Sequence, residues 1–295
     1  MVYSLIGKNF TPPDVHGKVT GKAKYAEDFK VDGMLHARLL TSPIPHARID
    51  KLDISKALQM EGVVAVLTAD DVPNIPNLGN PILTNEPAYV GDPILAVAAV
   101  DERTAEDAIQ AINFDFERLP FVVDPLVSLR PNGPHARLQG NVGNSTMGDD
   151  FRSLHWSEDD FASLSNNKLP EGKSVRDWSI GNLEAGFDQA DYILDESFVT
   201  ASYSHNSMEP RSAMAYWENG KCFLFGSSQS QSFPMPGLAA YIGIDPDDLV
   251  FIAEFCGGGF GSKGGPYPAM SIPAHLSRLT DRPVKLRISR EEEYY

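Results

Sequence analysis

The apolar run at residues 94–100 constrains the fold of this chain more than any other feature. Its sequence, ILAVAAV, does not alternate between apolar and polar positions, which predicts a strand buried on both faces of a sheet. A helix is predicted directly afterwards, at residues 102–112, because apolar residues recur there at three- and four-residue steps. Asp101 or Thr104 can cap this helix. A doubly buried strand needs a layer on each side, so helices and a sheet must pack together.

Composition agrees with short strands and many turns. The 295 residues include 24 Gly and 22 Pro, more than a helical bundle usually carries. A β-branched strand is predicted at residues 63–67, and an alternating strand at 113–117 has the pattern of a half-buried strand at the edge of a sheet. The sequence therefore predicts an α+β protein.

Charge and cysteine content exclude several classes of function. A formal net charge of −15 repels nucleic-acid phosphates and anionic lipid, so neither nucleic acid nor membrane is expected as a partner. The first residues lack the basic start and apolar run that are typical of a signal peptide, and the longest apolar run is too short for a membrane span, so we expect a cytoplasmic protein. Two cysteines, Cys222 and Cys256, cannot build an iron–sulfur cluster or a four-cysteine zinc site from this chain alone, and we expect both to be free thiols.

The second half of the chain differs in character from the first. Residues 128–181 have few periodic apolar positions and are predicted to be an extended connector. The elements predicted after it are strands at 192–202, 213–217, 222–225, 249–255 and 282–288, and helices at 233–242 and 269–279. Because the sequence stops soon after a strand, we expect further polypeptide to complete the sheet.

A run of glycines follows the predicted strand at 249–255. Residues 257–261, GGGFG, can take positive φ angles and offer backbone N–H groups to an anion or to a metal-bound oxygen. Three other interpretations are weaker or less specific. A dinucleotide fingerprint fits the glycine spacing, but Pro266 and Pro268 interrupt the helix that it requires. A phosphate-binding P-loop fails because Lys263 follows Ser262, and a structural turn stays open.

Two other segments of the same block have polar strand-end sequences. Residues 225–230, FGSSQS, follow one predicted strand, and residues 205–211, HNSMEPR, are predicted to end another. Each alone is typical of a hydrogen-bonded turn. Three such segments in one domain can converge on one ligand, and this favours a binding site over three separate turns.

Taken in order, these segments resemble the molybdopterin-binding large subunits of the xanthine dehydrogenase and aldehyde oxidase family, the molybdenum hydroxylases. The matching segments are residues 19–28, 42–49, 89–93, 207–210, 227–229 and 257–263. The resemblance implies an a/b hammerhead domain at 1–127, the connector at 128–181, and an incomplete first molybdopterin-binding domain at 182–295. It covers nearly the whole chain, and the ordered set is specific although each motif alone is weak.

The resemblance also implies a cofactor and roles for particular residues. Molybdenum–molybdopterin, in its simple or cytosine dinucleotide form, would oxidise an aldehyde or an N-heterocycle with oxygen from water. Gln229 would hydrogen-bond the cofactor through its side-chain amide, and Gly258, Gly259, Phe260 and Gly261 would lie beside the metal. His205 is an open candidate, and Glu209 is expected to anchor the backbone near the site.

Two departures from the family pattern limit what is carried over. Gly264 stands where purine-oxidising members have a carboxylate, which puts a purine substrate in doubt. The base glutamate of the family is expected beyond Tyr295, so no catalytic residue and no metal ligand is predicted in this chain. The chain would then be inactive without a C-terminal half, an iron–sulfur subunit and an FAD subunit. The alternatives are a non-catalytic scaffold of the same fold and a nicotinamide-binding dehydrogenase.

Overall fold

The computed structural model describes residues 4–75, 80–128, 157–162, 164, 178–196, 198, 200, 201 and 203–294. The strands are β1 (Leu35–Thr41), β2 (Ala47–Asp53), β3 (Val63–Leu67), β4 (Pro93–Ala99), β5 (Asn113–Arg118), β6 (Ala213–Glu218), β7 (Lys221–Gly226), β8 (Leu249–Ile252) and β9 (Val284–Leu286). The helices are α1 (Val15–Val19), α2 (Ser55–Leu58), α3 (Glu102–Ala111), α4 (Pro125–Ser128), α5 (Glu158–Ala162), α6 (Leu183–Asp188), α7 (Met235–Ile242), α8 (Ile272–Thr280) and α9 (Arg290–Tyr294). None of these helices is long and apolar enough to span a membrane.

Seven of the strands form one mixed sheet in the order β3-β4-β1-β9-β6-β7-β8. The pairs β1–β9 and β7–β8 are parallel, and the other neighbours are antiparallel. The sheet includes strands from both predicted domains, since β9 lies between β1 and β6. β2 and β5 pair in a separate two-stranded sheet.

The doubly buried strand predicted at 94–100 is β4. Leu95 and Val97 pack on one side with residues of α2 and α3, including Ala108. Ala96 and Ala98 face the opposite side and pack in a cluster that includes Ile272 and Leu276 of α8. Of the two predicted cap residues, Asp101 caps α3, by accepting a hydrogen bond from the Thr104 N–H.

A hairpin joins β6 to β7 through Asn219 and Gly220. Both residues have positive φ angles, +51° and +78°, which suits the right-handed twist of a two-residue hairpin turn. Leu224 of β7 is fully buried beneath α7 in a second core cluster with Leu238 and Ile242. The short strand β8 follows a left-handed cap at Gly243 and a 3₁₀ turn at Pro246–Asp248.

Most predicted elements of the last block are present with shorter bounds. The helix predicted at 233–242 begins at Met235, and the strand predicted at 282–288 is the three-residue β9. The strand predicted at 192–202 is wrong for the residues that the structure describes there, which form no strand. Tyr192, the first residue of this segment, is 80% exposed. An alternating segment forms a strand only where a neighbouring strand pairs with it. Most of the connector predicted at 128–181 lies outside the described residues.

The described residues divide into two compact units. One contains those within 1–44, 49–116 and 204–295, and the other those within 45–48 and 117–203. In the second unit the ring nitrogen Nδ1 of His46 lies 2.6 Å from the Pro120 carbonyl oxygen, and Arg48 pairs with Glu117 at 3.1 Å. The predicted site residues all belong to the first unit.

Candidate functional site

The candidate site lies on three loops at one edge of the seven-stranded sheet. Residues 227–230 follow β7, and residues 253–263 follow β8. These strands are parallel neighbours, so their carboxyl ends lie at the same edge. Residues 204–212 lead into β6, which is antiparallel to β7, and therefore reach that edge too. The segment at 205–211 thus precedes strand β6, and the prediction that it ends a strand is wrong for the residues that the structure describes.

Gln229 lies directly against the glycine run. Its side-chain oxygen Oε1 accepts hydrogen bonds from the Gly261 N–H at 2.9 Å and the Lys263 N–H at 3.3 Å. Its own N–H donates to the Lys263 carbonyl oxygen at 2.9 Å. A Cβ atom on Gly259 would overlap the Gln229 carboxamide, so only glycine permits this approach. The two backbone donors fix the amide with Oε1 towards the run, and its NH₂ group is left to donate elsewhere.

The backbone of the glycine run is held in an unusual conformation. Gly258, Phe260 and Gly261 have φ angles of +101°, +53° and +107°. The Gly259 carbonyl oxygen accepts hydrogen bonds from both the N–H and the hydroxyl of Ser262, which closes the turn. Positive φ angles at neighbouring residues can turn successive backbone N–H groups towards one side, which is the arrangement of an anion-binding nest.

Three consecutive N–H groups of the run take no part in the hydrogen bonds described above, and one of them belongs to the buried Gly259. Those of Gly258, Gly259 and Phe260 donate to no partner among the described residues. The Phe260 side chain is 72% exposed, so it is not core filling. His205 is also exposed, and its Nε2 atom lies 3.7 Å from the position that a Cβ on Gly261 would take. The structure therefore brings Gln229, His205 and the run together.

Glu209 and Lys263 form a buried ion pair behind the run, with 3.4 Å between Oε2 and Nζ. The Glu209 carboxylate accepts hydrogen bonds from the Ala26 N–H, the Ser227 hydroxyl and the Gly257 N–H. Lys263 Nζ also donates to the Glu209 carbonyl oxygen and to Ser227 Oγ. Glu209 thus contacts the backbone of the run, as expected of an anchor, whereas a role for Lys263 was not predicted.

Arg211 makes a second polar connection to the run. Its guanidinium donates to Glu293 of α9 at 2.8 Å and to the Ser262 carbonyl oxygen at 2.9 Å. It also lies over the ring of Tyr267, 4.9 Å from the centroid. Burial raises the pKa of the Tyr267 phenol, so the ring stays neutral beneath the cation. Sequence reasoning missed Arg211 and Glu293 because no local pattern relates residues so far apart in the chain.

The donor set at this site suits an anionic ligand with exposed oxygen atoms. Three N–H groups and a carboxamide NH₂ are donors, and the nearest carboxylate, Glu209, is already engaged in hydrogen bonds. Over the described stretches of the chain, no three His, Cys, Asp or Glu side chains are grouped closely enough to hold a metal ion. A metal here would need its ligands from a cofactor or from further polypeptide.

Two family models match the chain. Residues 20–120 match the a/b hammerhead domain of aldehyde oxidase and xanthine dehydrogenase, and residues 166–295 match a molybdopterin cofactor-binding domain. The second match includes all three loops of the candidate site. The two matches follow the order in which the sequence motifs occur.

Individual relatives agree with these matches. A probable xanthine dehydrogenase subunit of Bacillus subtilis is 32% identical over 95% of this chain, and the nicotinate dehydrogenase large molybdopterin subunit of Eubacterium barkeri is 28% identical over 98%. The chain spans only 34% and 63% of the lengths of these two proteins. The structure of quinoline 2-oxidoreductase from Pseudomonas putida 86 superposes with a TM-score of 0.75 at 25% identity, covering 98% of this chain and 35% of that one.

Proposed function

The chain belongs to the xanthine dehydrogenase and aldehyde oxidase family, and on that premise we propose that it is the N-terminal portion, or a split subunit, of a molybdenum hydroxylase that oxidises an aldehyde or an N-heterocycle. The observation that carries this proposal is the set of unpaired N–H groups of Gly258, Gly259 and Phe260 beside the fixed carboxamide of Gln229. The compared relatives are named as dehydrogenases and oxidoreductases, and they give no support to a non-catalytic scaffold.

The residues of the run and Gln229 would hold a molybdenum–molybdopterin cofactor by hydrogen bonds. When bound, this group supplies the two-electron oxidation of the substrate carbon, with oxygen that comes from water. Gln229 would donate from Nε2 to an oxygen atom of the cofactor, because its Oε1 is already used by Gly261 and Lys263. Gly258, Gly259 and Phe260 present preoriented N–H dipoles, which stabilise negative charge without reorganisation. Gly261 is needed in the run because its φ of +107° would strain any residue that has a side chain.

The substrate pocket that we propose is one without a carboxylate next to Lys263. Gly264 has its N–H bonded to the Gly261 carbonyl oxygen at 3.4 Å, and a Cβ there would meet that same oxygen at 3.5 Å. The position thus has room for a side chain but carries none. An uncharged aldehyde or heterocycle suits this surface better than a purine that a carboxylate must hold. Exposed Phe260 offers an aromatic face at the same place.

The proposal extends to the domain limits, the location in the cell, the form of the cofactor and the partner subunits. The domains are proposed at 1–127, 128–181 and 182–295, and the protein is placed in the cytoplasm. The cofactor is proposed in its simple or cytosine dinucleotide form. The base glutamate would come from outside these residues, and electrons would leave through iron–sulfur and FAD subunits. The chain would therefore not turn over substrate without the remainder of the large subunit.

The experiment is to produce the full chain together with the polypeptide that carries the remaining part of the large subunit. Purified complex is expected to contain about one molybdenum and one pterin, measured by elemental analysis and by pterin fluorescence. A complex that assembles without metal and pterin would contradict the proposal. Turnover of an aldehyde, of quinoline and of xanthine then tests the substrate class, with xanthine expected to be the slowest.

Gln229→Ala tests the role of the carboxamide. Loss of one preoriented donor is expected to lower turnover about a hundredfold, while the complex still assembles. Gln59→Ala is the matched control, because Gln59 is another exposed glutamine, directly after α2. Equal turnover in the two variants would remove Gln229 from the site.

A further inference from the structure

We propose that Glu209 and Lys263 act as one positioning pair that holds both ends of the glycine run and so sets the direction of its free N–H groups. This inference rests on the proposed function, because those N–H groups matter only if the run binds a ligand. Neither Glu209 nor Lys263 presents a free donor to the ligand, and the shape of the run depends on this buried pair of charges.

Burial makes this pair unusual. The Lys263 side chain is 0% exposed and that of Glu209 is 8% exposed, whereas most lysines and glutamates keep their charged ends in water. A buried charge without compensation costs several kcal/mol, so each member depends on the other. Ser227 completes the set by donating to Glu209 Oε2 at 2.6 Å and accepting from Lys263 Nζ at 2.8 Å.

The pair holds the backbone at both ends of the run. At the start, the Gly257 N–H donates to Glu209 Oε2 at 2.6 Å, and the Glu209 N–H donates to the Gly257 carbonyl oxygen at 3.4 Å. At the other end, Lys263 lies two positions beyond Gly261, the last residue of the run, and its buried Nζ donates to the Glu209 carbonyl oxygen. The free N–H groups of Gly258, Gly259 and Phe260 lie between these two points.

Glycine makes such a restraint necessary. Each glycine samples both signs of φ, so an unrestrained GGGFG segment would take many conformations with different N–H directions. The Gln229 and Arg211 hydrogen bonds connect the end of the run to two other loops, but they do not reach Gly257 at its start. Glu209 does, and its Oε1 also accepts from the Ala26 N–H, 183 positions away in the sequence. The pair therefore fastens the run to two distant parts of the fold.

Amide exchange at one glycine can report on the run directly. The sequence contains only two Phe-Gly pairs, Phe225-Gly226 and Phe260-Gly261. Labelling phenylalanine with ¹³C at the carbonyl and glycine with ¹⁵N therefore isolates two amides in the full chain by NMR. Gly261 lies in the run, and Gly226 lies in β7 and serves as an internal control.

Glu209→Gln and Lys263→Met are each expected to speed exchange at Gly261 at least about tenfold, with Gly226 nearly unchanged. The double variant is expected to restore part of the protection, because no uncompensated charge is left. Lys285→Met is the matched control: Lys285 is also buried, but it lies in β9 and donates to the Glu27 carbonyl oxygen. It is expected to leave Gly261 unaffected.

Several results would overturn the proposal. These are unchanged exchange at Gly261, equal acceleration at Gly226, or the same effect from Lys285→Met. If the charge variants do not fold, Ser227→Ala in the same assay decides, with a several-fold acceleration expected at Gly261 and no acceleration as the contrary outcome. The exchange assay needs no cofactor, so a negative result in it does not affect the molybdenum and pterin test of the proposed function. A complex without molybdenum and pterin would likewise leave the exchange result interpretable.

Discussion

The interior of the seven-stranded sheet and the loops at its edge each contain a lysine and a cysteine, and these residues show how differently the two regions are built. In the sheet, burial raises the pKa of the Cys222 thiol to about 12, so the thiol stays neutral among apolar neighbours. In the loops, Cys256 is half-buried and its thiol donates to the Gly258 carbonyl oxygen. Lys285 of β9 makes one backbone contact, whereas Lys263 lies in a network of charged and hydroxyl groups.

The sheet region determines the stability of the fold, whereas the loops determine the geometry of the site. The sheet region is stabilised by fully buried apolar residues such as Leu35, Ile94 and Leu224. The loops expose Met208 and Phe260, and they keep their shape through hydrogen bonds to a few polar groups. We expect substitutions in the sheet to change the free energy of unfolding strongly, and substitutions in the loops to change local geometry with less effect on that free energy.

Leu224→Ala is predicted to have the largest effect. Leu224 is completely buried between β7 and α7, so its truncation removes apolar contacts and leaves a cavity. The free energy of unfolding should fall by about 2–5 kcal/mol, measured by urea unfolding of the full chain. Val64→Ala, at an exposed position of β3, is the control and should change it by less than about 0.5 kcal/mol. A loss below about 1 kcal/mol for Leu224→Ala would contradict the view that buried apolar packing in the sheet dominates the free energy of unfolding.

Gly259→Ala is predicted to come next. The added Cβ overlaps the Gln229 carboxamide, which must move and give up its bond to the Gly261 N–H. Overpacking of this kind costs about 1–3 kcal/mol. Gly265→Ala is the matched control, because nothing lies within 4 Å of a Cβ there and its φ is not positive. That control should be neutral or slightly stabilising, and equal losses in both variants would show that the Gln229 contact is unimportant.

The sheet could be predicted from the sequence where apolar burial leaves a pattern. Residues 94–100 and 63–67 gave β4 and β3, because continuous or β-branched apolar runs mark buried strands. Strand β1 was not predicted although it pairs with β4 at the centre of the sheet. Its buried Leu35, Ala37 and Leu39 alternate with polar residues, so the period of two was present as a signal.

The site could be predicted only in part. The glycine run and Gln229 were identified from short motifs and their order, and the structure brings them within hydrogen-bond distance. Their role toward a cofactor stays a prediction. The Glu209–Lys263 pair was beyond prediction, because its members lie 54 positions apart and no local pattern relates them. The wrong strand at 192–202 has a similar cause, since pairing depends on a neighbour that the sequence pattern does not identify.

Acid is predicted to weaken the sheet region. Burial lowers the pKa of His275 on α8, and the nearby Arg278 lowers it further, although the Tyr241 carbonyl oxygen accepts a hydrogen bond from its Nε2. Burial also lowers the pKa of His36 on β1. In the unfolded chain these imidazoles gain protons below about pH 6.5, while in the folded chain they stay neutral until lower pH. The unfolded state then binds more protons, so stability falls as pH drops.

Urea unfolding at pH 7.5 and pH 5.5 measures this slope. His275→Gln keeps a hydrogen-bond donor near Tyr241 and removes the titrating group, so the difference between the two pH values should shrink. His36→Gln should reduce it as well, and the double variant should show the smallest difference. A slope that is unchanged in the double variant would assign the acid sensitivity to other groups.

Phe260→Gly is predicted to have the smallest effect on stability, and it tests directly whether an exposed residue of the loops contributes to the free energy of unfolding. The ring is 72% exposed, so its removal gives up little buried area. Its backbone has a φ of +53°, which costs an L-residue about 1–2 kcal/mol and costs glycine nothing. That relief is offset by about 0.4–1 kcal/mol, because glycine gives the unfolded chain more freedom.

The two backbone effects together leave about 0–1.6 kcal/mol of stabilisation, and the small loss of buried ring area reduces it, so urea unfolding of Phe260→Gly should show a change of less than about 1.5 kcal/mol. Phe260→Ala keeps the left-handed strain and removes the same ring, so the free-energy difference between the two variants isolates the backbone term. A loss above about 2 kcal/mol in both variants would mean that the Phe260 ring itself stabilises the fold. The loops would then contribute to the free energy of unfolding as the sheet does, contrary to the difference argued above. A neutral result leaves Phe260 free to serve the ligand, because its position in the run is set by the backbone around it and its side chain adds almost nothing to folding.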